Sequence, residues 1–229
     1  MHSVTKTNQS LLISYRTLRK IVGVLGLSLP FTLLGGVYVT NVLLNGGLVS
    51  DLSVESSVSS YYHTEMRDIF VGTLCVIGFF LLSYRGHERK DNVAGNIAGV
   101  SALGVAFVPT LRDGSTDSYE IAIGNFHYFF AAVFFVTLIY FCAALFTKTH
   151  KGVTPTARKQ QRNKVYRFCG ITMAICISLI LLCHFYLLDK FDALNNLRPV
   201  YWLEALAITA FGFSWLTKGR ALLDEKADY

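Results

Sequence analysis

Long apolar stretches alternate with short polar ones along this chain, and the polar stretches hold nearly all of the charge. A helix that crosses a bilayer needs about 20 apolar residues, with a range of about 17–25. A buried soluble core would not concentrate the charge in this way, so the pattern predicts an all-α polytopic transmembrane bundle forming one domain, residues 1–229. Six helices are predicted near residues 21–44, 64–84, 93–109, 126–147, 167–188 and 200–217.

The second and third apolar stretches, Ile69–Leu82 and Val93–Val108, are too short to cross a bilayer without their flanking residues. The third stretch is rich in small residues, which let helices approach closely when they recur every four positions. We therefore expect the third helix at the centre of the bundle, and a homodimer seam, which would make the protein an oligomer, is the alternative. The small residues in question are Ala94, Gly95, Ala98, Gly99 and Ala102.

Composition supports a membrane protein, because 52% of the residues are hydrophobic, 16% are charged and the mean hydropathy is +0.43. Soluble proteins carry about 25% charged residues. The net charge of +6 is unevenly distributed. With the N-terminus in the cytoplasm, most of the 21 lysines and arginines fall on the inner side and most of the 15 acidic residues on the outer side.

This asymmetry follows the positive-inside rule and predicts that both termini are cytoplasmic. The membrane topology thus accounts for the net positive charge, and no nucleic-acid partner is expected. The expected partner is the lipid bilayer, with anionic lipid headgroups at the cytoplasmic face. The first apolar stretch contains Pro30 and no small-residue cleavage site follows it, so we expect it to be retained as a helix of a multi-pass cell-membrane protein.

All five cysteines lie within apolar stretches, and no two have the C-x-x-C spacing. This pattern supports neither a disulfide framework nor a zinc knuckle. The simpler interpretation is that the cysteines are small side chains that pack between the helices inside the membrane. The cysteines are Cys75, Cys142, Cys169, Cys176 and Cys183.

Ionisable and hydrogen-bonding side chains gather at the outer ends of the predicted helices. Ionisable groups in spanning segments are costly, so they usually face a cavity or pair with one another. We expect Arg67 to pair with Asp68, Glu65 or Glu204. The candidate ligand-binding residues are His63, Arg67, Asp68, His127, His184 and Glu204.

Three uses of this outer cluster stay open. It could be a structural network, a site for a lipid headgroup or small ligand, or a zinc site made by His63, His127 and His184. Catalytic zinc takes three protein ligands and a water, which here would serve a membrane hydrolase acting on a lipid or amide. Against zinc, Arg67 lies one helical turn from His63 and no H-E-x-x-H motif is present. No cofactor is therefore predicted and no catalytic residue is assigned. A small transporter or channel subunit is a further class, although no internal repeat supports it.

Short motifs are spread over nearly the whole chain. They are Tyr62-His63-Thr64, Met66-Arg67-Asp68, Phe70-Val71-Gly72, Gly104-Val105-Ala106, Pro109-Thr110, Trp202-Leu203-Glu204, Phe211-Gly212, Ser214-Trp215-Leu216 and Lys218-Gly219. As a set they resemble a family of six-helix bacterial integral membrane proteins, which implies the architecture and a location in the bacterial inner membrane but no activity. Ser59, His63 and Asp68 carry a weaker similarity to the alkaline ceramidase and adiponectin-receptor-like hydrolase superfamily, which implies a zinc-dependent hydrolase.

Overall fold

The computed structural model describes residues 2–44, 46, 54–86, 88–149, 154–187 and 195–223. Within these residues the fold is all-α, with six α-helices and no strand. The helices are α1 (His2–Tyr38), α2 (Arg67–Leu82), α3 (Arg89–Phe107), α4 (Ser118–Tyr140), α5 (Ala157–Leu182) and α6 (Pro199–Lys218). Three of them continue as π-helical turns, Val39–Leu44, Phe141–Leu145 and Cys183–Leu187, and a short 3₁₀ helix, Ser59–His63, precedes α2.

Four helical segments in the described part of the chain are long and apolar enough to cross a membrane. They are Tyr15–Leu43, Ser118–Leu145, Ala157–Leu182 and Pro199–Lys218, and they indicate a multi-pass membrane protein. The 16 residues of α2 extend about 24 Å, which is less than the ~30 Å thickness of a bilayer's hydrocarbon core. As predicted for the second apolar stretch, α2 is too short to cross the hydrocarbon core without its flanking residues.

Helices α4 and α5 begin well before the apolar stretches from which they were predicted, because polar side chains cap their first turns. The Asp117 carboxylate accepts a hydrogen bond from the Tyr119 nitrogen (2.9 Å), so α4 begins at Ser118 and not near residue 126. The Thr156 hydroxyl accepts one from the Lys159 nitrogen (3.2 Å), so α5 begins at Ala157 and not near residue 167. Such caps satisfy amide groups that have no partner within the helix.

The six helices form a ring in chain order. Each helix packs against the next one, and α6 closes the ring by packing against α1. The third helix is one member of this ring and does not lie at its centre. Its small residues face its neighbours, whereas Val100 and Phe107 on its other face are 56% and 64% exposed. Small residues allow close packing on one side, and the apolar side chains opposite them suit contact with lipid.

Glycines allow two pairs of helices to pack closely. A Cβ atom built at Gly99 of α3 would lie 2.8 Å from the Gly78 oxygen of α2. A Cβ atom built at Gly212 of α6 would lie 2.8 Å from the Gly23 oxygen of α1. At both places the backbones therefore approach as closely as only glycine allows. The first contact agrees with the pattern of small residues in the third stretch, and the second was not predicted.

The ring has two chemically different ends. We call the end built from residues 54–66, 108–127 and 195–204 the histidine end. We call the end built from residues 15–20, 83–86, 88–91, 146–149, 154–162 and 215–223 the cationic end. Near the cationic end, the rings of Tyr84, Phe141, Phe146 and Phe211 lie within 5.5–6.1 Å of the Trp215 ring, centroid to centroid.

Candidate functional site

Two of the predicted site residues meet at one turn of the histidine end. The His63 Nε2 atom lies 2.8 Å from the Thr110 oxygen, and the His127 Nδ1 atom lies 2.7 Å from the Val108 oxygen. Carbonyl oxygens only accept hydrogen bonds, so each of these nitrogens donates. Because the two carbonyls flank Pro109, where α3 has ended, the histidines hold the same turn from two sides. His127 is buried, whereas His63 is exposed.

Glu204 anchors the segment that leads into α2. Its Oε2 atom accepts hydrogen bonds from the backbone nitrogens of Val58 (2.8 Å) and Ser59 (3.3 Å). These amides lie at the start of the 3₁₀ helix, where a carboxylate is favoured by the partial positive charge of the helix end. Glu204 therefore ties residues 54–63 to α6, and its carboxylate is occupied by backbone amides.

Arg67 does not pair with any of the three carboxylates considered for it. Its guanidinium donates to the Tyr62 hydroxyl (2.8 Å) and lies 4.5 Å from the centre of the Tyr62 ring. Glu204 accepts from the backbone nitrogens of Val58 and Ser59 instead, and neither Glu65 nor Asp68 forms an ion pair with Arg67 in the described part of the chain. Asp68 is exposed in the first turn of α2, a favourable position for a carboxylate.

His184 follows α5, and its ring lies 5.5 Å from the Tyr128 ring, which in turn lies 6.1 Å from the His127 ring. Tyr128 thus stands between the two histidines. Among the described residues, no group of three or more His, Cys, Asp or Glu side chains could hold a metal ion. His63, His127 and His184, the residues considered as zinc ligands, therefore form no such group in the described part of the chain.

A cleft of about 640 Å³ opens at the histidine end between the start of α2, the turn after α3 and the start of α4. His63 and Arg67 line it, whereas Asp68, His127, His184 and Glu204 do not. Most of its polar lining residues were not among the predicted site residues. Three of them, Arg112, Asp117 and Glu120, lie in the polar stretch between the third and fourth apolar segments, which was the available signal. The polar side chains of the lining include Tyr62, His63, Arg67, Arg112, Asp117 and Glu120.

Charged residues near the cleft hold residues 54–63 in place. Asp113 accepts a hydrogen bond from the Ser56 hydroxyl (2.9 Å) and forms an ion pair with Arg198 (3.8 Å) at the start of α6. Burial raises the pKa of the neighbouring Glu55 and Asp113 acts in the same direction, whereas Arg198 and His63 lower it. The raised pKa means that the folded state favours the protonated form of the Glu55 carboxyl. The folded state therefore loses stability as the pH rises from the ordinary pKa of a glutamate through the raised pKa of Glu55.

Compared with models of known protein families, with curated proteins and with solved structures, the chain shows no match. The resemblance to six-helix bacterial membrane proteins, and the weaker one to the hydrolase superfamily, therefore stay predictions.

Proposed function

We propose that the protein resides in the bacterial inner membrane with its histidine end outward and both termini in the cytoplasm. There it binds the phosphate-bearing headgroup of a lipid in the cleft. The observation that supports this function is the pair of arginines in the cleft, Arg67 and Arg112. Neither forms an ion pair with a carboxylate in the described part of the chain. The orientation is supported by the excess of lysine and arginine at the opposite end.

Arginine suits this task because its guanidinium presents several N–H groups in a plane that matches phosphate oxygens. The Tyr62 ring and hydroxyl hold the Arg67 guanidinium in place before a ligand arrives. Less side-chain freedom is then lost on binding. Glu120 also lines the cleft and offers a carboxylate to a headgroup that carries an ammonium, such as ethanolamine.

Apolar side chains beside the cleft favour a lipid over a soluble ligand. Tyr119 is 71% exposed in the cleft wall. Phe107 is exposed at the end of α3, and Phe126 is exposed about two turns into α4. These side chains would lie against acyl chains while the headgroup occupies the polar cleft. His127 and Glu204 would act as positioning residues, because they hold the turn and the 3₁₀ helix that form the walls.

The test is the double variant Arg67→Gln/Arg112→Gln in purified, delipidated protein, titrated with a short-chain phosphatidylethanolamine and followed by native mass spectrometry. Hydrogen bonds to charged groups contribute about 1.5–3 kcal/mol each, so binding should weaken by about tenfold or more. Arg89→Gln is the matched control, since it removes the same charge from an exposed arginine that lies outside the cleft.

Equal lipid affinity in the double variant and in Arg89→Gln would contradict the proposal. Glycerophosphoethanolamine, which has no acyl chains, is titrated in parallel. If it bound as tightly as the lipid, the cleft would be a site for a small soluble ligand. Stoichiometric zinc in protein purified without chelator, lost in His63→Ala, would favour the hydrolase instead.

A further inference from the structure

The ring of helices surrounds a small cavity that lies beside Glu204. Its volume is about 50 Å³, and side chains from every helix except α5 line it. Val58 and Ser59, whose backbone nitrogens donate to Glu204, complete its wall. The cavity and the cleft at the histidine end have no lining residue in common. The cavity is therefore a second candidate binding site, inside the bundle.

The lining of this cavity is apolar except at one side. Its only polar side chains are those of Glu204 and Ser59. A buried water needs about two to four polar partners, which most of this wall does not offer. The cavity therefore suits a ligand with one polar group and an apolar remainder. The aromatic part of the lining comes from α2, α4 and α6 and consists of Phe70, Phe134, Phe135 and Phe211.

One oxygen of the Glu204 carboxylate is occupied by backbone amides and the other is not. Both amides donate to Oε2, and Oε1 accepts no hydrogen bond from the residues that the structure describes. Glu204 also forms no ion pair with any of them. It lies within the candidate membrane span Pro199–Lys218. Buried charges are normally paired, and a carboxylate within a span usually faces a cavity or an ion pathway.

We propose that this cavity binds a small primary ammonium cation, of the size of methylammonium. Its N–H groups would donate to the Glu204 Oε1 atom, and its positive charge would compensate the carboxylate. Its methyl group would lie against the phenylalanines, whose rings also attract cations within about 6 Å. The proposal does not depend on the function proposed for the cleft.

The size of the cavity limits the ligand. A water-sized group needs about 10–15 Å³ of such a volume, so about 50 Å³ holds only a few non-hydrogen atoms. Methylammonium fits this space, and tetraethylammonium does not. Methanol fits as well but carries no charge. These three compounds therefore separate the contributions of size and charge.

The experiment measures the thermal unfolding midpoint of the full-length protein in detergent, at constant ionic strength. A ligand that binds only the folded state raises this midpoint as its concentration exceeds its Kd. We expect methylammonium chloride to raise it by several degrees relative to sodium chloride. Methanol and tetraethylammonium chloride should leave it nearly unchanged.

Ala131→Leu should weaken the methylammonium response at least tenfold, because Ala131 lines the cavity and the larger side chain fills it without changing any charge. Ala132→Leu is the matched control, since Ala132 is the next residue of α4, is exposed and lies outside the cavity. It should keep the full response. If Ala131→Leu does not fold, Ala131→Val takes its place under the same criteria.

Two carboxylate variants locate the binding. Glu204→Gln keeps an oxygen that can accept from the two amides but removes the charge, so it should also weaken the response at least tenfold. Glu120→Gln should keep the response, because Glu120 lines the cleft and not the cavity. Loss of the response in Glu120→Gln would place the cation in the cleft and overturn the proposal.

Three further results would each overturn it. The first is an equal rise of the midpoint with methylammonium and with methanol. The second is an equal methylammonium response in Ala131→Leu and Ala132→Leu. The third is a wild-type response in Glu204→Gln, which would show that the carboxylate charge takes no part in binding.

Discussion

Replacement of Gly212 by leucine is expected to separate α1 from α6 and to leave little folded protein after purification. A Cβ atom at this position would lie 2.6 Å from the Leu27 nitrogen and 2.8 Å from the Gly23 oxygen. Both are backbone atoms, so no side-chain rotation can relieve the clash. Overpacking a well-packed core costs about 1–3 kcal/mol and sometimes more, and this contact closes the ring of helices. The yield of monodisperse protein and the midpoint of unfolding measure the effect.

Gly35→Leu is the matched control, because Gly35 lies on α1 as Gly23 does but has no neighbouring atom within 4 Å of a built Cβ. It should purify like the wild-type protein, since leucine also has a higher helix propensity than glycine. Wild-type yield and stability of Gly212→Leu would show that α1 and α6 do not pack as described.

Gly99→Leu should disrupt the contact between α3 and α2. A Cβ atom at Gly99 would lie 2.8 Å from the Gly78 oxygen and 2.9 Å from the Leu82 nitrogen. We expect destabilisation of about 1–3 kcal/mol or more, measured by unfolding in detergent.

The control for Gly99→Leu is Gly72→Leu, on the exposed face of α2, where a Cβ atom would meet nothing within 4 Å. If both variants unfolded at the same midpoint, the small residues of α3 would face lipid and not α2.

The apolar stretches predicted the helices well, because burial of apolar residues in a bilayer is a strong and local signal. They did not predict where α4 and α5 begin, since Asp117 and Thr156 cap polar turns that precede the apolar residues. The row of small residues in the third stretch predicted a close helix contact correctly, but it could not place α3 within the ring. The contact between Gly23 and Gly212 joins segments near opposite ends of the chain, so no local sequence pattern predicts it.

The candidate site was predicted only in part. Sequence placed His63 and Arg67 at the same helix ends, and the structure places both in one cleft. The partners of these side chains could not be predicted, because they depend on the path of residues 54–63. Glu204, for example, accepts from two backbone amides of that segment instead of pairing with Arg67. The same path gives Arg67 its tyrosine partner, Tyr62.

The histidine end is expected to face outward and the cationic end to face the cytoplasm. Cysteine labelling in intact cells measures this orientation. Thr116 and Thr154 are matched exposed threonines at the two ends. The native cysteines give little background, because four are buried and Cys75 is half-buried. A membrane-impermeant maleimide should label Thr116→Cys in intact cells and Thr154→Cys only after permeabilisation. Labelling of Thr154→Cys in intact cells, with Thr116→Cys protected, would contradict the orientation and the outward placement of the cleft.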